Sequence, residues 1–161
     1  MKKAKLQIRK FIQIDASSNK VWEVLLDAHQ LSSWMPAVDQ VLECDPEGEG
    51  LGSERRCQAK LAGKAGTIVE KVVEHVPGQW IRYAVIDDTF GMSKMFNDYS
   101  FQLSTAEIDG QTQVTSTTYY EPRNPFVALL NLIMMKRQFS SVLEAMLDGL
   151  KRHVESADWE Y

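Results

Sequence analysis

The side chains that could do acid-base or metal chemistry are scattered along this sequence. The three histidines are His29, His75 and His153, and no two of them are close enough in sequence to suggest a metal pair. The motifs of serine hydrolases, phosphate-binding loops, zinc proteases and dinucleotide-binding folds are missing. We therefore expect surface or helix-cap roles for the histidines, no metal site and no cofactor, and the sequence identifies no catalytic residue.

Two carboxylates are candidates for a buried acid or base. Alternation along a strand puts Asp98 and Phe96 on one face and Tyr99 and Phe101 on the other. Asp98 then faces solvent if the two rings Tyr99 and Phe101 face the core. Alternatively, a buried Asp98 or Glu70 with a raised pKa would suit acid–base chemistry such as enolisation or dehydration.

Large aromatic and sulfur-containing side chains are more numerous than short core strands need. Methionine adapts to variable shapes, and aromatic walls with a few hydroxyl groups are typical of ligand pockets. Ordinary core packing is the alternative for each residue taken singly. As a set they predict an apolar ligand cavity lined by Trp34, Tyr83, Tyr99, Phe101, Tyr119, Met135 and Phe139.

A long C-terminal helix over residues 124–157 must position this set. Asn124 is suited to cap the helix, and Pro125 fits the first helical position. At about 1.5 Å per residue such a helix crosses the whole body of a domain of this size. Its apolar residues recur at three- and four-residue steps, which predicts one buried stripe that includes Phe139, Val142, Leu143 and Met146.

The residues before this helix alternate in the manner of strands joined by turns. The first strand, 6–14, carries Lys10 as the one misfit on its apolar face. Consecutive strands joined by hairpins give an antiparallel sheet, and the long helix is the element large enough to cover one face of it. The expected order is strand 6–14, short helices near 18–27 and 31–35, then strands 38–45, 54–61, 67–76, 80–86, 94–104 and 113–120.

The bulk composition describes one globular domain, which we take as residues 1–161. Hydrophobic residues make up 44% and charged residues 25%, and the formal net charge is -4. No basic excess favours nucleic acid, and an anionic membrane surface would repel the net charge. The densest apolar run, 126–135, is about half the length that a membrane span needs. With no export signal visible, we predict a cytoplasmic protein without a transmembrane segment.

The two cysteines, Cys44 and Cys57, show no metal-type spacing. They are nearly equidistant from the centre of a predicted hairpin, so we expect them to lie opposite each other. A reducing compartment would keep both thiols free.

Four stretches resemble the START-like, or SRPBCC, superfamily, and the polyketide cyclase/dehydrase-like proteins are the closest in pattern. Residues 16–27 resemble the family's first helix, and residues 31–38 its second short helix, with tryptophan and proline before strand two. Residues 70–78 resemble its mid-sheet strand and turn, and 120–122 its exit from the last strand. The resemblance covers nearly the whole chain. It implies the α+β helix-grip fold, in which a curved antiparallel sheet of about seven strands wraps around a long C-terminal helix, with two short helices between strands one and two.

Three functions are compatible with this pattern. The first is binding or transport of a hydrophobic small molecule, such as a lipid, an isoprenoid or an aromatic polyketide, between the sheet and the C-terminal helix. The second is a polyketide cyclase or dehydratase with an acid or base in that cavity; the lack of a convergent His/Asp/Glu set favours the first. The third is an accessory protein acting through its surface without ligand, because the start of the long helix is apolar nearly all round and would expose Phe126, Val127, Leu129 and Leu130.

Overall fold

A seven-stranded antiparallel sheet curves around one long helical segment in the computed structural model, which describes residues 4, 6–46 and 49–156. The strand order is β1-β7-β6-β5-β4-β3-β2, so that β1 and β2 form the two edges. This confirms the predicted α+β helix-grip architecture. The strands are β1 (Leu6–Ile14), β2 (Val38–Cys44), β3 (Glu54–Leu61), β4 (Lys64–Val76), β5 (Trp80–Asp88), β6 (Phe96–Ile108) and β7 (Gln111–Pro122).

Short helices fill the connections, and the long helical segment follows β7. Two short helices lie between β1 and β2, as the sequence predicted, with a 3₁₀ turn between them at Ala28–Gln30. A one-turn helix follows β5 and overlaps the start of the predicted strand 94–104, so that this helix was not predicted. The helices are α1 (Ser18–Leu26), α2 (Leu31–Trp34), α3 (Met92–Met95), α4 (Pro125–Leu130) and α5 (Lys136–Glu155), with a π-helical segment (Asn131–Met135) between α4 and α5.

The long helical segment begins as predicted. The side-chain Oδ1 of Asn124 accepts a hydrogen bond from the backbone N–H of Val127 at 2.9 Å, and proline occupies the first turn. Residues at four-residue steps then face the sheet. In a regular α-helix, side chains four residues apart differ in direction by about 40° around the helix axis, because a turn takes 3.6 residues. The wider π turn takes up that difference, and it keeps Val127 and Asn131 buried on the same side as Leu143.

The buried stripe of α5 differs from the prediction at one position. Leu143 and Met146 are buried, and Phe139 is partly buried, as expected, but Val142 is 41% exposed. After Phe139 the buried stripe continues by four-residue steps to Leu143 and Leu147, and Val142 is turned towards solvent. The stripe runs through Leu143, Met146, Leu147, Leu150 and Val154.

Helix α5 is bound along its length to the edge strand β1. The misfit Lys10 reaches across to the helix, where its Nζ lies 2.7 Å from Glu144 Oε1. Further along, Lys151 Nζ donates to the backbone oxygen of Gln13 at 2.7 Å. A cation on the apolar face of β1 therefore finds a carboxylate at the rim of the core, which explains why the strand tolerates it.

A β-bulge changes the predicted alternation at the start of β6. The register shifts between Phe96 and Asp98, so these two side chains do not share a face. The ring of Phe96 lies 5.5 Å from that of Tyr120 on the helix-facing side, and placing Phe96 with Asp98 was wrong. Asp98 does lie on the outer face, where its carboxylate is 3.8 Å from the guanidinium of Arg82.

The two cysteines are both free, as predicted, but they are not directly opposite each other. Cys57 pairs with Val41, and Cys44 pairs with Arg55, because the β2–β3 ladder has two irregularities that shift the register. Cys44 is exposed and Cys57 is buried. Burial raises the pKa of the Cys57 thiol to about 12.

The segment Pro125–Glu155 is long and apolar enough, by length and composition, to cross a membrane. Length and composition alone are weak evidence for a span, so the absence of a transmembrane segment stays a prediction. Only 17% of the apolar window is buried against the rest of the protein. An apolar outer surface at the start of the long helix is therefore a real feature of this fold.

Candidate functional site

A cavity of about 190 Å³ opens between the end of α1 and the connection from β2 to β3. Both sides of its wall mix apolar and polar or charged side chains. The walls are built from four parts of the chain that the fold brings together: Leu26, Asp27, Ala28 and His29; Cys44, Asp45, Pro46 and Glu49; Ser53, Glu54 and Arg55; and Tyr83.

One buried cation lies between two carboxylates at the inner end of this cavity. Arg55, which is 4% exposed, stands opposite Glu70 in the β3–β4 ladder, and its Nε donates to Glu70 Oε2 at 2.6 Å. Its Nη1 lies 3.5 Å from Oε1 of Glu49, which comes from the β2–β3 connection. A charge buried without a partner costs several kcal/mol, so each of these groups depends on the others.

The charge of Arg55 is maintained by its neighbours. Burial disfavours the Arg55 cation, but attraction to Glu70 and Glu49 outweighs burial and raises the pKa of Arg55, which stays charged. With both carboxylates ionised the cluster has one positive and two negative charges, which leaves a formal charge of -1.

Tyr83 joins this charged cluster to an aromatic wall. Its ring lies under the guanidinium of Arg55, 4.1 Å from Cζ to the ring centroid, and its hydroxyl donates to Glu49 Oε2 at 2.6 Å. Burial and the neighbouring Glu49 raise the pKa of Tyr83, so its hydroxyl stays a donor. The other side of the ring stacks on Phe101, with centroids 5.2 Å apart and an interplanar angle of 22°.

The aromatic wall continues towards the long helix. Phe139 of α5 makes ring contacts with Tyr99 at 5.5 Å and Tyr120 at 5.4 Å between centroids. Tyr99, Phe101, Met135 and Phe139 are all only partly buried, although they face the interior. Partly exposed aromatic rings therefore fill the space in which the sequence predicted a ligand.

The seven side chains predicted to line a cavity separate into four groups. Tyr83 is a wall of the observed cavity, and Tyr99, Phe101, Met135 and Phe139 form the adjoining aromatic wall. Trp34 is 2% exposed and belongs to the core beneath α5.

Tyr119 lies on the opposite face of the sheet, so the position predicted for it was wrong. Neighbouring residues of a strand point to opposite faces, and Tyr120 faces Phe139. Tyr119 therefore points away from the helix, and its ring packs under the guanidinium of Arg82, 4.8 Å from Cζ to the centroid. Arg82 is fully buried there and donates to Ser100 Oγ from Nε and Nη2 at 3.1 and 2.8 Å.

The sequence pattern did not single out Arg55 or Glu49, although Glu70 was named. A signal for Arg55 was present, because period-two alternation places it on the same face as Cys57 and Ala59, both of which are buried. Glu49 carried no such signal. It lies in a turn-rich connection, and only the folded backbone brings its carboxylate to Tyr83.

Comparison with known proteins adds a family to this geometry. The model of the family described as "Polyketide cyclase / dehydrase and lipid transport" matches residues 5–155. No curated protein matches the sequence.

Solved structures share the fold at low sequence identity. A START superfamily protein from Mycobacterium smegmatis is 16% identical with a TM-score of 0.74, covering 92% of this chain and 97% of the other. A major latex-like protein from Panax ginseng is 16% identical with a TM-score of 0.75, covering 94% and 98%. An aromatase/cyclase from Streptomyces is 19% identical with a TM-score of 0.70, covering 95% and 98%.

Proposed function

Because this chain belongs to the family of polyketide cyclases, dehydrases and lipid-transport proteins, we propose that it binds or carries a hydrophobic small molecule. The ligand would be a lipid, an isoprenoid or an aromatic polyketide, held between the sheet and the C-terminal helix. The observation that carries this proposal is Tyr83, which lines the open cavity beside Arg55 and stacks on Phe101 of the aromatic wall. A ligand entering past Arg55 meets that wall directly.

The charge of the cluster selects the polar end of the ligand. Arg55 already faces two carboxylates, and the cluster has a formal charge of -1. A further carboxylate or phosphate entering there would meet repulsion in a poorly screened site. A neutral hydroxyl or carbonyl group would instead accept a hydrogen bond from Arg55 without adding charge. The proposed ligand is therefore a long apolar molecule with a neutral polar end.

The aromatic wall must open to admit the body of such a molecule. The cavity of about 190 Å³ is smaller than the roughly 300 to 1,000 Å³ of most ligand pockets. Side-chain rotation on binding is common, and the partly exposed Phe101 and Phe139 are placed to rotate. Ligand binding would thus exchange ring–ring contacts for ring–ligand contacts.

The test is binding of an apolar fluorescent probe, followed by competition with a long-chain alcohol and the carboxylate of equal length. We expect one-to-one binding and stronger competition by the alcohol. Phe101→Ala should weaken probe binding by about fivefold or more, since an aromatic contact contributes about 1 kcal/mol beyond its buried area. Phe11→Ala is the matched control, because Phe11 is 65% exposed on β1. Equal weakening by both variants, or no saturable binding, would overturn the proposal.

A cyclase or dehydratase is the second candidate, and one contact favours it. The hydroxyl of Tyr83 and the carboxylate of Glu49 form a 2.6 Å hydrogen bond at the cavity wall, which is a donor–acceptor pair within reach of a bound carbonyl. Glu49→Gln separates the two candidates. A carrier variant would still bind probe and neutral ligand, whereas an enzyme variant would bind a polyketide-like substrate without turning it over. The cytoplasmic location stays a prediction.

A further inference from the structure

The outer side of α4 and the π-helical segment forms an exposed apolar surface, which we call the apolar ridge. It comprises Phe126, Leu129, Leu132, Ile133 and Met134, whose side chains are between 51% and 77% exposed. The sequence placed this surface at residues 126–130. Including Val127 was wrong, because Val127 is 6% exposed and faces the sheet, and the ridge extends further along the chain instead.

The apolar ridge offers almost no hydrogen-bonding side chain. The only polar residue between Pro125 and Met135 is Asn131, and it is 4% exposed because it faces the sheet. Protein–protein interfaces carry about one hydrogen bond per 100 to 200 Å². Lipid acyl chains require none. The ridge is therefore chemically matched to lipid more closely than to a folded partner.

Positive charge flanks the apolar ridge at both ends. Arg123 precedes α4, and Lys136 and Arg137 follow the π-helical segment; all three are exposed. No carboxylate occurs between Glu121 and Glu144, although the chain as a whole has a net charge of -4. Apolar residues bounded by cations, which can reach the phosphate level from the ends of a buried segment, are the pattern of an interfacial helix.

The same helix cannot leave the protein to span a bilayer without losing its core. Leu143, Leu147, Leu150 and Val154 of α5 are 7% exposed or less. The segment that carries the apolar ridge would instead lie in the plane of the membrane surface, about 5 to 10 Å deep.

We propose that the apolar ridge docks this protein on an anionic lipid bilayer, with Arg123, Lys136 and Arg137 at the level of the lipid phosphates. The net negative charge of the chain does not prevent this docking. Screening limits its repulsion of the membrane to about 8 Å at physiological ionic strength, and the ridge itself carries no carboxylate. The proposal is independent of ligand binding, because none of the ridge residues is a wall of the cavity.

The experiment is co-sedimentation of the whole chain with vesicles of phosphatidylcholine alone or mixed with phosphatidylserine. We expect binding to the mixed vesicles that weakens as salt is raised, and little binding to phosphatidylcholine. Lys136→Gln/Arg137→Gln should weaken binding by about 25-fold, because each cation near an anionic surface contributes about 1 kcal/mol, or fivefold. Lys60→Gln/Lys64→Gln, which removes two exposed cations of the β3–β4 hairpin, is the matched control.

The apolar contribution is tested with a second matched pair. Phe126→Ser/Ile133→Ser should abolish sedimentation, while Phe11→Ser should leave it unchanged, because Phe126 and Phe11 are 69% and 65% exposed at different sites. Failure to bind anionic vesicles, or binding that the ridge variants retain, overturns the proposal. So does a concentration-dependent dimer that the ridge variants convert to monomer, since a second copy then covers the ridge. Probe binding without vesicles should be unchanged in the ridge variants, which separates this test from that of the ligand site.

Discussion

The backbone carbonyl oxygen of Trp34 lies against Gly149 so closely that a Cβ atom at position 149 would overlap it. Helix α2 thereby touches the backbone of α5, and the ring of Pro36 flanks the same spot. Glycine inside a helix costs about 1 kcal/mol relative to alanine. The close packing of two helices explains why that cost is tolerated here.

Gly149→Ala should therefore destabilise the protein. The helix gains about 1 kcal/mol in propensity, but overpacking against a backbone atom costs about 1 to 3 kcal/mol, and a carbonyl cannot rotate away as a side chain can. Thermal and denaturant unfolding measure the difference. Gly50→Ala is the control, because its Cβ would meet Ser53 Oγ at an ordinary 3.6 Å. A more stable Gly149→Ala protein would mean that α2 and α5 do not touch in this way.

The sequence predicted what local rules determine. The seven strands, the capping Asn124 and the buried Leu143 all follow from periodicity and end signals. It failed where a local pattern leaves two choices open. The bulge before Asp98 reversed the face of Phe96, and steps of three or four residues after Phe139 both fit a helical stripe, so the pattern did not separate Val142 from Leu143. Packing against the rest of the fold decides both cases.

The candidate site was only partly predictable for the same reason. Glu70 and Tyr83 were named from residue type, but their partner Arg55 comes from another strand and Glu49 from a connection. Charged residues are predicted as solvated unless a partner is known, and partners across a sheet depend on register. Register is a property of the whole ladder.

Met146→Asp should cost several kcal/mol, because Met146 is 5% exposed and an unpaired carboxylate would be buried in the core. Val142→Asp is the matched control on the same helix. Val142 is 41% exposed, and its change should cost about 0.5 kcal/mol or less. Denaturant unfolding compares the two. Equal losses would place both residues in the core, which is what the sequence alone suggested.

The two thiols should differ sharply in reactivity. Exposed Cys44 should react with a thiol reagent in the native protein, while Cys57 should react only on unfolding, because burial raises its pKa to about 12. A raised pKa means that the folded state holds this proton more tightly. The stability it contributes is present below the unfolded pKa, about 8.5 to 9, and is lost as the pH rises towards 12. Cys57→Ala should remove that part of the alkaline loss, and rapid labelling of both thiols at neutral pH would contradict the assignment.

Asp88 should stabilise the short helix α3 in a pH-dependent way. Its carboxylate oxygens accept from the backbone N–H groups of Met92 at 2.9 Å and Ser93 at 2.8 Å. Partial burial raises the pKa of Asp88, but these hydrogen bonds outweigh it and the net shift is downward. The stabilisation is thus present above the unfolded pKa of about 3.9 and is lost as the pH falls through the lower folded value.

Asp88→Asn should cost about 1 kcal/mol at neutral pH, because the amide keeps one acceptor oxygen but replaces the second by a donor, so one of the two hydrogen bonds is lost. The difference from the parent should shrink in acid, as measured by denaturant unfolding at several pH values. Asp87→Asn changes the exposed neighbour and should have little effect at any pH. A constant difference down to low pH would mean that the charge of Asp88 is not what stabilises α3.

Arg55 should be the most sensitive residue of the candidate site. Arg55→Met leaves the carboxylates of Glu49 and Glu70 buried without a cation, and breaking a buried ion pair from one side costs about 3 to 5 kcal/mol. Arg56→Met is the matched control at the next position: Arg56 is 42% exposed, and its pair with Glu43 at 3.6 Å should contribute less than about 1 kcal/mol.

Neutralising the carboxylates of Glu49 and Glu70 should restore the stability lost in Arg55→Met. In Arg55→Met/Glu49→Gln/Glu70→Gln no ionised group remains in the cluster, so we expect most of the stability to return, as it does when buried ion pairs are replaced whole. Denaturant unfolding of the single and triple variants measures this recovery of stability. A second consequence concerns ligand preference, which competition between alcohol and carboxylate ligands measures. Glu49→Gln alone brings the formal charge of the cluster from -1 to zero, so the carboxylate ligand should gain affinity relative to the alcohol. An Arg55→Met protein as stable as its Arg56→Met control would show that the cluster does not hold its charges as described. Unchanged ligand preference in Glu49→Gln would show that the polar end of the ligand lies elsewhere.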